Sequence, residues 1–243
     1  MYGKRGKIGL LVPSVNSTME ADFHRLAPEG VSVHTNRMPL LKSISSIETI
    51  EAMVEAFETV ATKVRELTEA GVGVVLFGCT SGSFAKGPAG DRRLQEAIAR
   101  ETGVALFTTT TASVEAMRAL GIARLAVVTP YPAEVNARLK VYVEACDIRV
   151  VELRSFDEPV MADHAAHEPE EVAALAREAD RPEADGLFIA CTQVRGLDAA
   201  GRLERELAKP VVTANQASLW MCLRALKVRD PIRGFGRLLE LER

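Results

Sequence analysis

The chain has 243 residues, 47% hydrophobic and 26% charged, a composition typical of a globular protein that excludes the disordered and fibrous classes. Lys and Arg number 30 and Asp and Glu 33, so the net charge is −3, and no basic stretch is long enough for a nucleic-acid footprint. No apolar run approaches the roughly 20 residues that span a bilayer. We therefore expect neither a nucleic-acid nor a membrane partner.

Short β-branched runs alternate with longer segments of helical period, which predicts βαβ units around parallel sheets buried on both faces. In the first half of the chain, strands are predicted at 7–12, 31–35, 72–77 and 104–107, and helices at 17–26, 46–70, 91–102 and 110–120. In the second half, strands are predicted at 124–129, 148–153, 186–190 and 210–213, and helices at 133–145, 169–180 and 214–226. The fold class is therefore α/β.

The clearest helix is the one predicted at 46–70. Its apolar residues recur at helical spacing and form one stripe: Ile47, Ile50, Met53, Val54, Phe57, Val60, Ala61, Val64 and Leu67. Gly71 is placed to end this helix, and the chain then returns to the sheet.

The two halves of the chain can be laid over each other. Pro13 follows the first strand of one half, and Cys79 follows its third strand 66 residues later. In the other half, Pro130 and Cys191 are 61 residues apart in the same positions. This similarity indicates an internal duplication.

The cysteines are the residues most indicative of chemistry. Cys79-Thr80 and Cys191-Thr192 come directly after buried strands, at the carboxyl ends where parallel sheets form ligand sites. A cysteine that enters a helical turn is stabilised as a thiolate by free backbone N–H groups, so we expect a lowered thiol pKa. The same turns, with hydroxyls such as that of Ser81, can hold a carboxylate.

The alternative is that these cysteines are small core residues, which would suffice for a single buried cysteine. Two cysteines in matching contexts favour a catalytic pair instead. Cys146, at the end of the helix predicted at 133–145, and Cys222, within the helix predicted at 214–226, are expected to be structural.

Polar residues at other strand ends are candidates for binding a carboxylate. Asn16 and Tyr131 occupy equivalent loops after the first strand of each half, but Asn16 can instead cap the helix near Ser17, and Tyr131 can simply pack. Asn215 and Gln216 follow a later strand, and a helix cap is their alternative role.

The remaining charged candidates receive no site role. His164 and His167 lie in a polar stretch and are predicted to be solvated loop residues, while Arg92 and Arg93 are predicted to lie on a surface helix.

Motifs for metals, nucleotides and export are missing from the sequence. No C-x-x-C or H-E-x-x-H spacing occurs, and neither G-x-G-x-x-G after the first strand nor G-x-x-x-x-G-K-[ST] is found. The amino terminus does not resemble a signal peptide. We expect a cytoplasmic protein with no metal, no disulfide framework and no nucleotide cofactor.

Four motifs resemble the maleate cis-trans isomerase family: V-P-S-V-N-S-T-M-E at 12–20, F-G-C-T-S-G-S at 77–83, A-C-T-Q at 190–193 and T-A-N-Q-A-S-L-W at 213–220. That family belongs to the aspartate/glutamate racemase superfamily, with arylmalonate decarboxylase and hydantoin racemase. The resemblance implies two pseudo-symmetric α/β halves, each a parallel sheet flanked by helices, with the active site in the cleft between them. We place the halves at 1–115 and 116–243, with a C-terminal helix that can exchange between them, and expect a homodimer without a cofactor.

The resemblance also implies roles for particular residues. Cys79 would be the nucleophile that adds to an olefinic carbon of a small dicarboxylate, and Cys191 the general acid and base that protonates the neighbouring carbon. Asn16 and Tyr131 would bind the carboxylates. The other predicted substrate-binding residues are Pro13, Ser14, Thr80, Ser81 and Thr192.

Departures from the motifs separate neighbouring branches. The decarboxylases keep only the second cysteine, and glutamate racemases follow it with Thr-His, whereas this chain has Thr192-Gln193. Family members tend to carry a carboxylate-binding asparagine in the segment that here reads F-D-E-P-V-M-A-D-H-A-A-H at 156–167. A racemase of the amino-acid or hydantoin type and a catalytically silent carboxylate-binding homologue therefore stay open as alternatives.

Overall fold

A computed structural model describes residues 2–39, 44–55 and 57–241, and the side chains at 53, 54 and 57 lie outside the description. The first half contains, in chain order, β1 (Gly6–Pro13), α1 (Met19–Leu26), β2 (Val31–Met38), α2 (Ile47–Glu55), α3 (Phe57–Glu69), β3 (Val74–Phe77), α4 (Thr80–Phe84), α5 (Gly87–Thr102), β4 (Leu106–Thr108) and α6 (Thr109–Ala119). The second half contains β5 (Arg124–Thr129), α7 (Ala133–Glu144), β6 (Arg149–Ser155), a 3₁₀ turn (Met161–Ala165), α8 (Pro169–Ala179), β7 (Gly186–Ile189), α9 (Leu197–Leu207), β8 (Val211–Thr213), α10 (Ala214–Ala225) and a second 3₁₀ turn (Arg237–Glu240).

The eight strands form two parallel sheets with the same topology. One sheet has the order β2-β1-β3-β4 and the other β6-β5-β7-β8. The chain leaves β1 toward β2 and later returns to the opposite side of β1, so a crevice opens between the ends of β1 and β3, and likewise between β5 and β7. The predicted α/β fold of two matching halves is confirmed.

The predicted elements are present, with differences at three helices, one of which is the short helix α4 that was not predicted. The helix expected at 46–70 is described as α2 and α3 on either side of residue 56, which lies outside the described residues, as do the side chains of Met53, Val54 and Phe57. Ile50, Val60 and Val64 of the predicted stripe are fully buried.

Helix α9 was not predicted, and it carries Gly201, a poor helix former, at its centre. The structure explains this glycine: a Cβ at Gly201 would lie 2.6 Å from the carbonyl oxygen of Gly234. Glycine lowers the helix propensity at this position, but it allows the C-terminal segment to pack closely against α9.

Helix α10 joins the two halves. It packs against α6 and also contacts α1, β3 and β4 of the first half, although it directly follows β8 of the second. One cluster of buried apolar side chains accordingly contains residues of both sheets, such as Leu10 and Val127. The division at 115 and 116 stays a prediction and falls within α6. No helix among the described residues is long and apolar enough to cross a membrane.

Candidate active site

The carboxyl ends of the inner strands place matching loops opposite each other. Leu11 of β1 pairs with Phe77 of β3, and Val128 of β5 pairs with Ile189 of β7. The next residue along β3, Gly78, donates its N–H to the Leu11 carbonyl at 2.7 Å. A Cβ on Gly78 would lie 2.7 Å from the sulfur of Met19, so only glycine allows the chain to approach β1 and α1 here.

A small cavity lies where the loops of the two halves meet, with about 40 Å³ of space open to the centre of a water molecule. Eight of the predicted site residues line it: Pro13, Asn16, Cys79, Thr80, Ser81, Tyr131, Cys191 and Thr192. Ser14 does not line it and is exposed. Five lining residues were not predicted: Val15, Ser45, Met161, His164 and Gln193.

Cys79 is the N-cap residue of the short helix α4. Its sulfur accepts the N–H of Gly82 at 3.4 Å and lies 3.7 Å from the Ser81 hydroxyl oxygen. The prediction of a lowered thiol pKa is wrong. Burial raises the pKa of the Cys79 thiol, and the hydrogen bonds from Gly82 and Ser81 oppose that effect without overcoming it.

Cys191 lies in the equivalent position of the second half but in a different backbone conformation. Its φ of 82° falls in the left-handed region, which is strained for a residue with a side chain. Its sulfur accepts the N–H of Gln193 at 3.4 Å and lies 3.6 Å from Nδ1 of His164. Burial raises the pKa of the Cys191 thiol to about 11, so the lowered pKa predicted here is also wrong. Both thiols are therefore protonated at neutral pH in the free protein.

Asn16 caps α1 and also lines the cavity. Its Oδ1 accepts the N–H groups of Thr18 and Met19 at 3.2 and 2.9 Å at the start of α1. Its Nδ2 donates to the Thr192 hydroxyl at 3.0 Å, and that hydroxyl donates to the Gly78 carbonyl at 3.1 Å. One N–H of the Asn16 amide is thereby used, and an amide carries two.

Gln193 fastens the loop after β1 to the loop after β7. Its Oε1 accepts the N–H of Ser17 at 2.8 Å, and its Nε2 donates to the Val15 carbonyl at 2.9 Å. The Thr18 hydroxyl donates to the backbone carbonyl of Gln193 at 2.9 Å. The two loops that carry Asn16 and Cys191 are thus held at a fixed distance.

Three buried hydroxyls on the cavity have no hydrogen-bond partner among the described residues: Ser45 Oγ, Thr80 Oγ1 and the Tyr131 hydroxyl. The ring of Tyr131 is 2% exposed and packs edge-on against Phe84 and His164. An unpaired buried hydroxyl costs free energy, and three that face one cavity favour a ligand rich in hydrogen-bond acceptors.

His164 is the largest departure from the sequence-based prediction. The prediction of a solvated loop residue is wrong, because His164 is 3% exposed and lines the cavity. Its Nε2 lies 3.0 Å from the carbonyl oxygen of Glu158. The segment expected to carry an asparagine therefore presents Met161 and His164 to the cavity. Their spacing of three along one 3₁₀ turn is the only sequence signal for this.

The other candidates lie away from the cavity. Gln216 forms a capping box with Thr213 at the start of α10. Asn215 donates to Asp22 at 2.6 Å and to the Thr192 carbonyl at 3.2 Å, one layer behind the cavity. Cys222 is fully buried, and its burial raises its pKa.

His167 does not line the cavity and stacks on Phe156. Arg92 and Arg93 are exposed on α5, as predicted, and Cys146 lies half-buried just after α7.

The described side chains that line the cavity carry a charge only when a thiol, the phenol or the imidazole gains or loses a proton. None of its described lining residues is Lys, Arg, Asp or Glu. Within 2–39, 44–55 and 57–241, no group of three or more His, Cys, Asp and Glu is arranged to hold a metal ion. The titratable side chains on the cavity are two thiols, one phenol and one imidazole.

Fold and site together define a class of α/β protein in which two matching halves each place one cysteine on a shared cavity. A family model described as arylmalonate decarboxylase matches residues 8–239. The chain belongs to this family, and the predicted resemblance to maleate cis-trans isomerases within the same superfamily is confirmed.

Three solved structures illustrate the similarity. The first is a cysteine-to-alanine variant of the maleate isomerase from Pseudomonas putida S16 with maleate, with TM-score 0.90, 27% identity and 97% of each chain covered. The second is a cysteine-to-serine mutant of Nocardia farcinica maleate cis-trans isomerase with a covalently bound succinylcysteine intermediate, with TM-score 0.89, 30% identity and 97% and 98% of the chains covered. The third is an arylmalonate decarboxylase in the liganded form in which a glycine is changed to cysteine and a cysteine to serine, with TM-score 0.87, 30% identity and 96% and 98% covered.

Proposed function

We propose that this protein is a cofactor-independent cis-trans isomerase of a small dicarboxylate, of the maleate-to-fumarate type. The observation that carries this function is the placement of Cys79 and Cys191, one from each half, on one small cavity. A nucleophile and an acid on the same space can add to a double bond together. The succinylcysteine in the related isomerase structure supports a covalent route of this kind.

In the proposed reaction, the Cys79 thiolate adds to one olefinic carbon of the substrate while Cys191 gives its proton to the neighbouring carbon. A carbon–sulfur bond and a carbon–hydrogen bond form, and the π bond is lost. The remaining single bond can rotate. The Cys191 thiolate then takes the proton back, the double bond re-forms, and the Cys79 thiolate leaves.

The carboxylates are held in this proposal by neutral donors. Ser45, Thr80 and Tyr131, whose hydroxyls are unpaired, line the cavity, as does Asn16, whose amide has a second N–H to donate. Hydrogen bonds to charged acceptors are stronger than those between neutral groups. Pro13, Ser81 and Thr192 also line the cavity, and a substrate contact for Ser14 stays a prediction.

Isomerisation is favoured over decarboxylation because this chain carries both cysteines. Decarboxylases of this family keep only the second one, and the related liganded decarboxylase had a cysteine introduced in place of a glycine. A racemase would use the same two thiols on opposite faces of a Cα–H group. Uptake of solvent deuterium at such a carbon, without formation of a trans alkene, would identify that reaction.

The test is to incubate the reduced protein with maleate and to follow fumarate by proton NMR. Cys79→Ser and Cys191→Ser are expected to abolish fumarate formation, whereas Cys146→Ser, which alters a thiol away from the cavity, should leave it unchanged. No fumarate from the wild-type protein, while an authentic maleate isomerase forms it in parallel, would overturn the proposal.

We further propose that the protein works as a homodimer in the cytoplasm. The family resemblance supports both properties. Light scattering after size exclusion will give the mass in solution, and a monomer at micromolar concentration contradicts the dimer.

A further inference from the structure

The hydrogen bonds of His164 fix the proton on its ring. The Glu158 carbonyl oxygen can only accept, so Nε2 at 3.0 Å carries the hydrogen. In the neutral ring Nδ1 is then an unprotonated acceptor, and it lies 3.6 Å from the sulfur of Cys191. The Cys191 thiol therefore donates its hydrogen to His164.

Cys79 has no base of its own. Its sulfur contacts the N–H of Gly82 and the hydroxyl of Ser81, and both are weak acids rather than bases at neutral pH. The only described basic side chain on the cavity is His164, beside the other thiol. A nucleophilic thiolate at position 79 thus requires a route by which its proton can reach the imidazole.

We propose that His164 is a third catalytic residue, which takes up the proton that leaves Cys79 by way of Cys191. This inference rests on the function proposed above. The Cys191 S–H bond breaks as an Nδ1–H bond forms on His164, and the Cys191 thiolate then takes the proton of Cys79 across the cavity. The products are a Cys79 thiolate, a protonated Cys191 and an imidazolium, with no net gain or loss of protons.

The charges around His164 determine when this transfer is favourable. Burial lowers the pKa of His164 in the free protein, with Glu158 and Asp163 acting to raise it and His167 to lower it. Tyr131 and Cys191 face the ring from the cavity side and are uncharged at neutral pH. No described Lys or Arg lines the cavity, so a protonated His164 is the positive charge that a bound dicarboxylate meets among the described lining residues. Substrate binding therefore drives the proton onto His164.

Alkylation tests the relay independently of isomerase activity. Iodoacetamide reacts with the thiolate, so mass spectrometry of Cys79 alkylation at pH 7 in the absence of substrate reports how readily that thiolate forms. In His164→Asn the rate should fall at least about tenfold, because the base is lost. His167→Asn, a matched change in the same segment, should react like the wild type. Equal rates in His164→Asn and the wild type overturn the relay, whatever the maleate assay gives.

The pH profile separates a proton relay from a structural role. For the wild type, kcat/KM for maleate should rise as His164 loses its proton, with an apparent pKa below the usual imidazole value, and then level off. His164→Asn should lack this rise, lose about 10²–10³-fold in kcat at pH 7 with a smaller change in KM, and recover activity toward high pH. A variant that keeps the wild-type profile contradicts the proposal.

NMR of the wild type keeps the inference testable if the variants fail to fold. Nitrogen-15 shifts of the His164 ring at pH 7 should show the Nε2–H form in the free protein and a doubly protonated ring with saturating succinate, an unreactive dicarboxylate. A free protein with hydrogen on Nδ1, or a ring that stays neutral with succinate bound, overturns the relay.

Discussion

Tyr131 and Tyr142 are similarly buried, but they differ in whether the hydroxyl is hydrogen-bonded to a protein group. Removing the hydroxyl is therefore expected to change the stability of the two variants in opposite ways. Tyr131 is 2% exposed and Tyr142 is 3% exposed. The Tyr131 hydroxyl has no partner among the described residues, whereas the Tyr142 hydroxyl donates to Asp91 Oδ2 at 2.7 Å. Changing each to phenylalanine keeps the ring and removes only the hydroxyl.

The expected magnitudes follow from the cost of burying a polar group. Tyr142→Phe loses a hydrogen bond to a buried carboxyl and should lower the free energy of unfolding by about 1–3 kcal/mol. Tyr131→Phe loses only the weak contacts of its hydroxyl with the Cys191 sulfur and Thr80, and its edge-on contacts with Phe84 and His164 persist, so its free energy of unfolding should stay the same or rise by about 1 kcal/mol.

Ligand binding should reverse the order of the two variants. If the Tyr131 hydroxyl donates to a bound carboxylate, Tyr131→Phe loses about 1.5–3 kcal/mol of binding free energy, roughly a 10- to 150-fold weaker Kd. Tyr142 does not line the cavity, so Tyr142→Phe should bind as the wild type does. Urea unfolding gives the stabilities, and isothermal titration with succinate gives the affinities. The reasoning is refuted if Tyr131→Phe is destabilised as much as Tyr142→Phe, or if it binds succinate with wild-type affinity.

Three further predictions concern the surroundings of the cavity. Cys191→Gly should be more stable than Cys191→Ala by about 1 kcal/mol in urea unfolding, because glycine adopts a φ of 82° without strain; equal stabilities would show that the backbone there is relaxed. Burial raises the pKa of Asp22 to about 6. Ionising this carboxyl therefore destabilises the folded state, and the cost in free energy of unfolding grows as the pH rises from about 4 to 6. Asp22→Asn should therefore gain about 2–3 kcal/mol over the wild type at pH 8 and lose this advantage below pH 4, and a pH-independent difference would contradict the shift. Gln193→Ala removes the hydrogen bonds to Ser17 and Val15 and should cost about 1–3 kcal/mol and lower kcat; a stable variant with full activity would show that the two loops need no such connection.

The sequence determined the sheets and the positions of the two cysteines. β-branched runs alternating with helical segments specify parallel strands locally, and a residue that directly follows such a strand must lie at the carboxyl edge of the sheet. Cys79 and Cys191 could therefore be placed on the site from neighbouring residues alone. The repeated order of elements also paired Asn16 with Tyr131, and both line the cavity.

Only the tertiary structure decided the protonation of the site. The turn at each cysteine predicts a lowered thiol pKa, but burial between the two halves dominates and raises it for Cys79 and Cys191. The polar composition of 156–167 predicts solvent exposure, yet the segment folds over the cavity and buries His164 beside a cysteine 27 residues away. Burial and proton sharing depend on which distant segments meet, and a pKa responds to that environment rather than to sequence neighbours.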